Sequence, residues 1–234
     1  MGSLTKGVAM AAAVEKFAAK KARQHTVYKL ADGTRVPGVT TITGVMDKPA
    51  LVKWANGLGL QGIETTKYVD ELAAVGTLAH DGIHCHLTNA PWNTDDCSKN
   101  QIDLAETCII KWHYFADNHN IKVIHSEWPL VSEKHRYGGT CDLYCELDGK
   151  PTLLDLKTCK GIYDDHFTQL AGYYTLIKEQ GLPIDQVMIV RIGRSDAEGT
   201  QPEVKECPDI DLHVERFLVC RKLYDLNNQI RKAG

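Results

Sequence analysis

The stretch TLLDLKTCK, residues 152–160, carries the pattern of a buried strand with two charges set inside it. Leu153, Leu154 and Leu156 belong in a core, yet Asp155 and Lys157 sit among them. Side chains two apart on a strand share a face about 7 Å apart, so the acid and the base point one way while Leu154 and Leu156 point to the core. The run before it, YGGTCDLYCEL (137–147), carries Asp142, again polar amid apolar neighbours. Asp148-Gly149 between the two runs is a two-residue hairpin signal. That turn pairs Leu147 with Lys150, and the same register sets Asp142 directly opposite Asp155. Facing carboxylates repel. A divalent cation held by hard oxygen ligands removes the conflict, with Lys157 beside it. An ordinary Asp155–Lys157 pair on an exposed edge strand would leave Asp142 and the apolar flanks unexplained.

Outward from this hairpin the chain alternates readable elements. VIHSEWPLVS (123–132) is a strand, a helix runs from about 164 to 180 and is stopped by Gly181 and Pro183, and QVMIVRIG (186–193) is another apolar strand. A last helix fills about 212–231 with Asp211 as its N-cap. Upstream, helices are expected at about 47–58, 69–88 and 101–118. The last of these has Leu104, Cys108, Trp112 and Phe115 as a core-facing stripe. TVYKLADGTRVPGVTTIT (26–43) reads as a hairpin turning at Asp32-Gly33. AMAAAVEKFAAKKAR (9–23) reads as a short amphipathic helix with Met10, Val14 and Phe17 on one side. The fold class is mixed α/β: a small mixed central sheet flanked by helices, behind a mostly helical N-terminal half. With no repeat or long linker, one domain over 1–234 is expected.

Composition narrows the function classes. The chain has 234 residues, 43% apolar and 24% charged, which suits a globular protein that needs no disulfide support. No run of 18 apolar residues and no secretory pattern occurs, so no membrane contact and a cytoplasmic location are expected. Eight cysteines include no C-x-x-C pair, which favours free thiols. The net charge of −3 argues against a wholly phosphate-binding surface, but residues 16–35 hold six Lys/Arg against one acid. That basic segment is either a solvated face or a nucleic-acid contact.

GGTCD followed by LLDLKT resembles the core of the PD-(D/E)XK nuclease superfamily, with Asp142 matching the first Asp and Asp155-Leu156-Lys157 the (D/E)-x-K. HFTQLAGYY adds Gln169 and Tyr173 in the Q-x-x-x-Y arrangement of the RecB-like and phage exonuclease branch, with His166 one turn earlier on the same face. VGTLAHDGIHCHL resembles that branch's G-T-x-x-H helix at Gly76, Thr77 and His80. The Pro of the family label is replaced by Cys141.

The resemblance implies a restriction-endonuclease-like core over 121–234, with residues 1–120 and the hairpin near 26–43 selecting substrate. It implies Mg²⁺ or Mn²⁺ bound by His80, Asp142, Asp155 and the Leu156 carbonyl, with Glu127, read as opening its strand, as a further acid. Lys157 would polarise the attacking water. Gln169 and Tyr173 would hold the DNA strand or brace the metal shell. Lys20, Lys21, Arg23 and Lys53, with Lys48 and Lys67, would line the path of the strand. No iron–sulfur cluster is expected, since only Cys207 and Cys220 follow the core helix. The implied activity is a metal-dependent DNA exonuclease acting at single-stranded or duplex ends and leaving 5′-phosphate and 3′-hydroxyl products. A phage or bacterial recombination role would place it in a host cytoplasm beside a single-strand annealing or binding protein. Two alternatives stay open: a structure- or sequence-specific endonuclease on the same core, and a catalytically silent DNA-binding module. Polarity, DNA versus RNA and oligomeric state are left open. His80 and His84, one turn apart with Cys85 and His86 adjacent, also allow a zinc site, although Asp81 stands where a metalloprotease helix needs Glu.

Overall fold

The charged strand lies at the centre of a five-stranded sheet. The computed structural model describes residues 26–234, so the amphipathic segment at 9–23 and Lys20, Lys21 and Arg23 lie outside the described residues. In chain order, a small hairpin, β1 (Tyr28–Lys29) and β2 (Arg35–Val36), is followed by α1 (Val39–Thr43), α2 (Pro49–Gly59), α3 (Thr65–Thr88) and α4 (Lys99–Ala116). The sheet strands are β3 (Ile121–Ser132), β4 (Tyr137–Leu147), β5 (Lys150–Lys157), β6 (Gln186–Arg191) and β7 (Glu203–Glu206). Helix α5 (Asp164–Glu179) links β5 to β6, and α6 (Ile210–Ala233) closes the described chain. Spatial order follows sequence order, β3-β4-β5-β6-β7. Only β5 and β6 run parallel, and α5 is the long crossover such a pair requires.

Burial on both faces explains why Leu153 and Leu154, adjacent in β5 and pointing to opposite faces, are both apolar. Leu153 packs in one cluster with Val39, Phe167, Leu170 and Phe217, from α1, α5 and α6. Leu154 and Leu156 pack in the other with Leu78, Ile83 and Trp112, from α3 and α4. Period-2 alternation therefore places Asp155, 2% exposed, on the α5 face of the sheet.

The β4–β5 hairpin has the expected register, from Leu147↔Lys150 to Leu143↔Leu154. Asp148 and Gly149 both have positive φ, the mirror-image turn that suits the twist of the strands. The ladder stops one pair short of Asp142 and Asp155, so these residues do not pair as ladder partners. Instead Asp142 Oδ2 accepts a hydrogen bond from the Leu156 amide at 2.8 Å.

Three local expectations need correction. Val39–Thr43, expected as strand, is helix α1: Val39 and Ile42 are 1% and 0% exposed, and this burial outweighs their β-branched preference. The β1–β2 connection is a longer loop around Asp32-Gly33, since Lys29 pairs with Arg35 and Leu30 donates to the Thr34 carbonyl. The last helix is capped by Asp209, which accepts from the Leu212 amide, rather than by Asp211.

Two adjacent glycines fasten the hairpin and a helix to the sheet. A Cβ on Gly138 would lie 2.3 Å from Cγ of Tyr28, and one on Gly139 would lie 2.7 Å from Cε1 of Tyr173. Tyr28 is held by a 2.9 Å bond to Thr140 Oγ1. Gly138→Ala is expected to lift the Tyr28 ring and cost roughly 1–3 kcal/mol, read as a lower urea midpoint. An unchanged midpoint would show that the hairpin contributes nothing to the fold.

Candidate active site

Four segments converge where β4 and β5 separate. His80 projects from α3, Glu127 from β3, Asp142 from β4, and Asp155 and Lys157 from the end of β5. His80 Nδ1 lies 3.4 Å from Asp142 Oδ1 and 3.9 Å from Glu127 Oε1. One donor atom from each of His80, Glu127 and Asp142 falls within a 4.8 Å group. Their side chains keep 22%, 18% and 14% of their surface exposed, enough for a ligand to reach them. Lys157 Nζ forms an ion pair with Asp155 Oδ2, an oxygen that is buried and receives no well-aligned hydrogen bond.

Glu127 does not open its strand. It sits in the middle of β3 with φ of 50°, the left-handed region that a residue with a side chain seldom adopts. Ser126↔Leu143 and Trp128↔Cys141 flank it, so the register sets it opposite Asp142. The strained backbone at this position coincides with the convergence of the acids.

Leu156 shows how the strand end serves the site. Ile192 donates to the Lys157 carbonyl on the β6 side. Backbone groups alternate sides along a strand, so the Leu156 N–H and C=O both face the β4 side, where Asp142 already takes the N–H. The Leu156 carbonyl therefore points towards the same gap.

The electrostatics follow from crowding acids in a buried place. Burial disfavours the charged form of His80, but Asp142 and Glu127 outweigh it and raise the imidazole to about 9. Asp142 is lowered: burial opposes ionisation, yet His80, Lys157 and the Leu156 amide prevail. Asp155 is raised by burial, with Asp142 adding to the effect against the pull of Lys157. Lys157 is raised, because Asp155 and Asp142 overcome its burial. The acids thus demand positive charge, supplied by the ammonium and a protonated imidazole, and a bound cation would take over that role as the imidazole gives up its proton. Hard carboxylate oxygens, one imidazole nitrogen and the Leu156 carbonyl form a donor set that fits a divalent cation.

Helix α5 supplies the opposite wall. Gln169 Nε2 donates to the Tyr173 hydroxyl at 3.0 Å. Tyr173 is raised far above an ordinary phenol by burial and by Asp155 and Asp142, so it stays protonated. Gln169 and Tyr173 thus act as one unit beside the acids. His166 accepts from the Tyr163 amide, and burial, followed by the charge of Lys157, lowers it to about 4.

That shift fixes a sign. The unfolded chain protonates His166 near 6.5, before the folded chain does, so its contribution to stability is full above that pH and is lost as pH falls towards 4. The stability difference between wild type and His166→Asn, from urea melts, is expected to shrink from pH 7.5 to pH 5. A pH-independent difference would contradict the burial of a neutral imidazole.

The remaining residues divide clearly. Lys48 stands just before α2 and pairs with Asp165 at the start of α5, whereas Lys53 and Lys67 are exposed on α2 and α3. His84 does not join His80: its Nδ1 lies 2.8 Å from Ser126 Oγ. Cys85 donates to the Pro91 carbonyl and the His86 ring meets His113 edge-on. Among the described residues, the one three-donor group joins His80 to Glu127 and Asp142 and includes no other residue of HDGIHCH. The eight cysteines form no disulfide. No described helix is long and apolar enough to cross a membrane. Sequence reasoning missed the His84–Ser126 contact and the Asp142–Leu156 bond, for which the chain carries no local signal.

No protein-family model matches this chain, and no curated protein does. Among solved structures it is similar to an alkaline exonuclease from Laribacter hongkongensis, at 12% identity and a TM-score of 0.33, over 70% of this chain and 92% of that one. It is also similar to the protein described as SSO0001, at 15% identity and a TM-score of 0.28, over 64% of this chain and 74% of that one.

Proposed function

We propose that this chain is a divalent-metal-dependent deoxyribonuclease, with exonucleolytic action at DNA ends. The observation that carries the reading is the convergence of His80, Glu127 and Asp142 beside the Asp155–Lys157 pair. His80, Asp142, Asp155 and the Leu156 carbonyl would hold Mg²⁺ or Mn²⁺, with Glu127 completing the set. A bound divalent cation supplies a Lewis acid that lowers the pKa of coordinated water and offsets charge on the phosphate.

The chain's own groups do the positioning. Lys157, held by Asp155, presents an ammonium at the rim of the acids, where it orients the attacking water and offsets charge on the phosphate oxygens. Tyr173, kept protonated, offers a hydroxyl donor to a non-bridging oxygen, and Gln169 fixes the direction of that hydroxyl. Glu127, Asp142 and Asp155 repel an unscreened phosphodiester, so substrate engagement depends on the cation.

The test uses end-labelled single-stranded, linear duplex and covalently closed circular DNA with Mg²⁺ or Mn²⁺. Loss of linear substrates alone, abolished by EDTA, is the expected outcome. Efficient cutting of the closed circle would support the endonuclease reading, and no cutting by folded, metal-supplied protein would leave a binding module.

A further inference from the structure

The C-terminal helix carries an apolar stripe that nothing among the described residues covers. Its inner face is anchored by Phe217 and Cys220, buried against α5 and the sheet. On the outer face Leu212, Val219, Leu223, Leu226 and Ile230 are 61%, 61%, 43%, 44% and 70% exposed. At 100° per residue these five fall within about 60° of arc, nearly opposite Phe217, along roughly 27 Å of helix. Spacings of seven, four, three and four are those of a helix–helix seam.

We propose that this outer face of α6 is the contact with a second copy of the chain, packed antiparallel about a two-fold axis near residue 221. Charge placement selects the occupant and its direction. Acids gather at the start of α6 (Asp209, Asp211, Glu215) and bases at its end (Arg231, Lys232). An antiparallel pair sets each acidic end against a basic end and opposes the two helix dipoles, whereas a parallel pair would stack like charges.

With the axis at 221, Leu212 meets Ile230 and Val219 meets Leu223. Leu226 lies over the aliphatic stem of Arg216. A two-fold contact is self-complementary by necessity, and this stripe meets that condition. The mixed signs of Glu215, Arg216 and Lys222 beside the stripe differ from the basic polar face of a membrane-surface helix.

Sedimentation equilibrium of the full chain, from about 1 to 100 µM, spans the range in which a small specific interface of roughly 1,000 Å² dissociates. A monomer–dimer equilibrium is expected. Val219→Glu should raise its dissociation constant by roughly tenfold or more, because a desolvated carboxylate would replace an apolar contact at the centre of the seam. Leu223→Gln is the milder second variant, and both should keep the wild-type circular dichroism spectrum, since neither side chain is in the core.

Arg231→Glu with Lys232→Glu, which sets like charges against Asp209, Asp211 and Glu215 of the other copy, should weaken the dimer several-fold. A monomer throughout would overturn the proposal, and protection of the stripe from hydrogen exchange in that monomer would assign it to another part of the same chain. A dimer indifferent to Val219→Glu would move the contact elsewhere. A dimer unaffected by that double charge reversal would exclude the antiparallel arrangement.

Discussion

Asp142→Asn is expected to leave the protein folded and to lower DNA hydrolysis by roughly 10²–10⁴-fold, the range seen when a group acting in the transition state is removed. The fold survives because an asparagine oxygen at 142 still accepts from the Leu156 amide, the 2.8 Å bond that replaces the ladder at this point. The lost negative charge is what raises the His80 imidazole and what would attract a cation to the proposed site. Metal binding should weaken together with activity, so Mn²⁺ titration by electron paramagnetic resonance provides a readout separate from catalysis. Lys157→Ala should remove activity to a similar degree while Mn²⁺ still binds, since Lys157 contributes no ligand. Asp142→Asn retaining activity within tenfold would show that hydrolysis takes place elsewhere.

The largest effect on stability is expected at Trp112. It is fully buried between α4 and the sheet, packed on Phe115 at 5.5 Å between ring centroids. Trp112→Ala removes a large side chain from a cluster that also contains Leu78 and Ala79 of α3, the helix that presents His80. The expected cost is about 3–5 kcal/mol, measured by urea unfolding. His80 depends on the seating of α3, so weaker Mn²⁺ binding should accompany the loss even where the variant stays folded. Trp112→Phe should cost much less: its indole Nε1 is buried with no hydrogen-bond partner, and phenylalanine removes that donor while keeping most of the packing. Equal losses for the two variants would mean that the cavity is not the cause.

Reading the chain locally succeeded where structure is set by neighbours a few residues away. The leucines of β5, the Asp148-Gly149 turn and the stripe on α4 encode their elements through periodicity and turn chemistry, so strand and helix positions were legible. The reading failed at Val39–Thr43, where β-branched residues favour strand but burial against α5 and α6 imposes helix.

The same division runs through the candidate site. Spacing alone put Asp155 and Lys157 on one strand face, and Gln169 and Tyr173 on one helix face. Which of His80 and His84 would approach the acids was decided by the packing of α3: one imidazole meets Asp142 and the other meets Ser126. Glu127 reaches the group through a left-handed backbone turn in mid-strand, and Asp142 turns into a gap where the ladder ends. Residue spacing determines what one element can present. Where separate elements meet depends on long-range burial of both sheet faces, and only the folded chain carries that information.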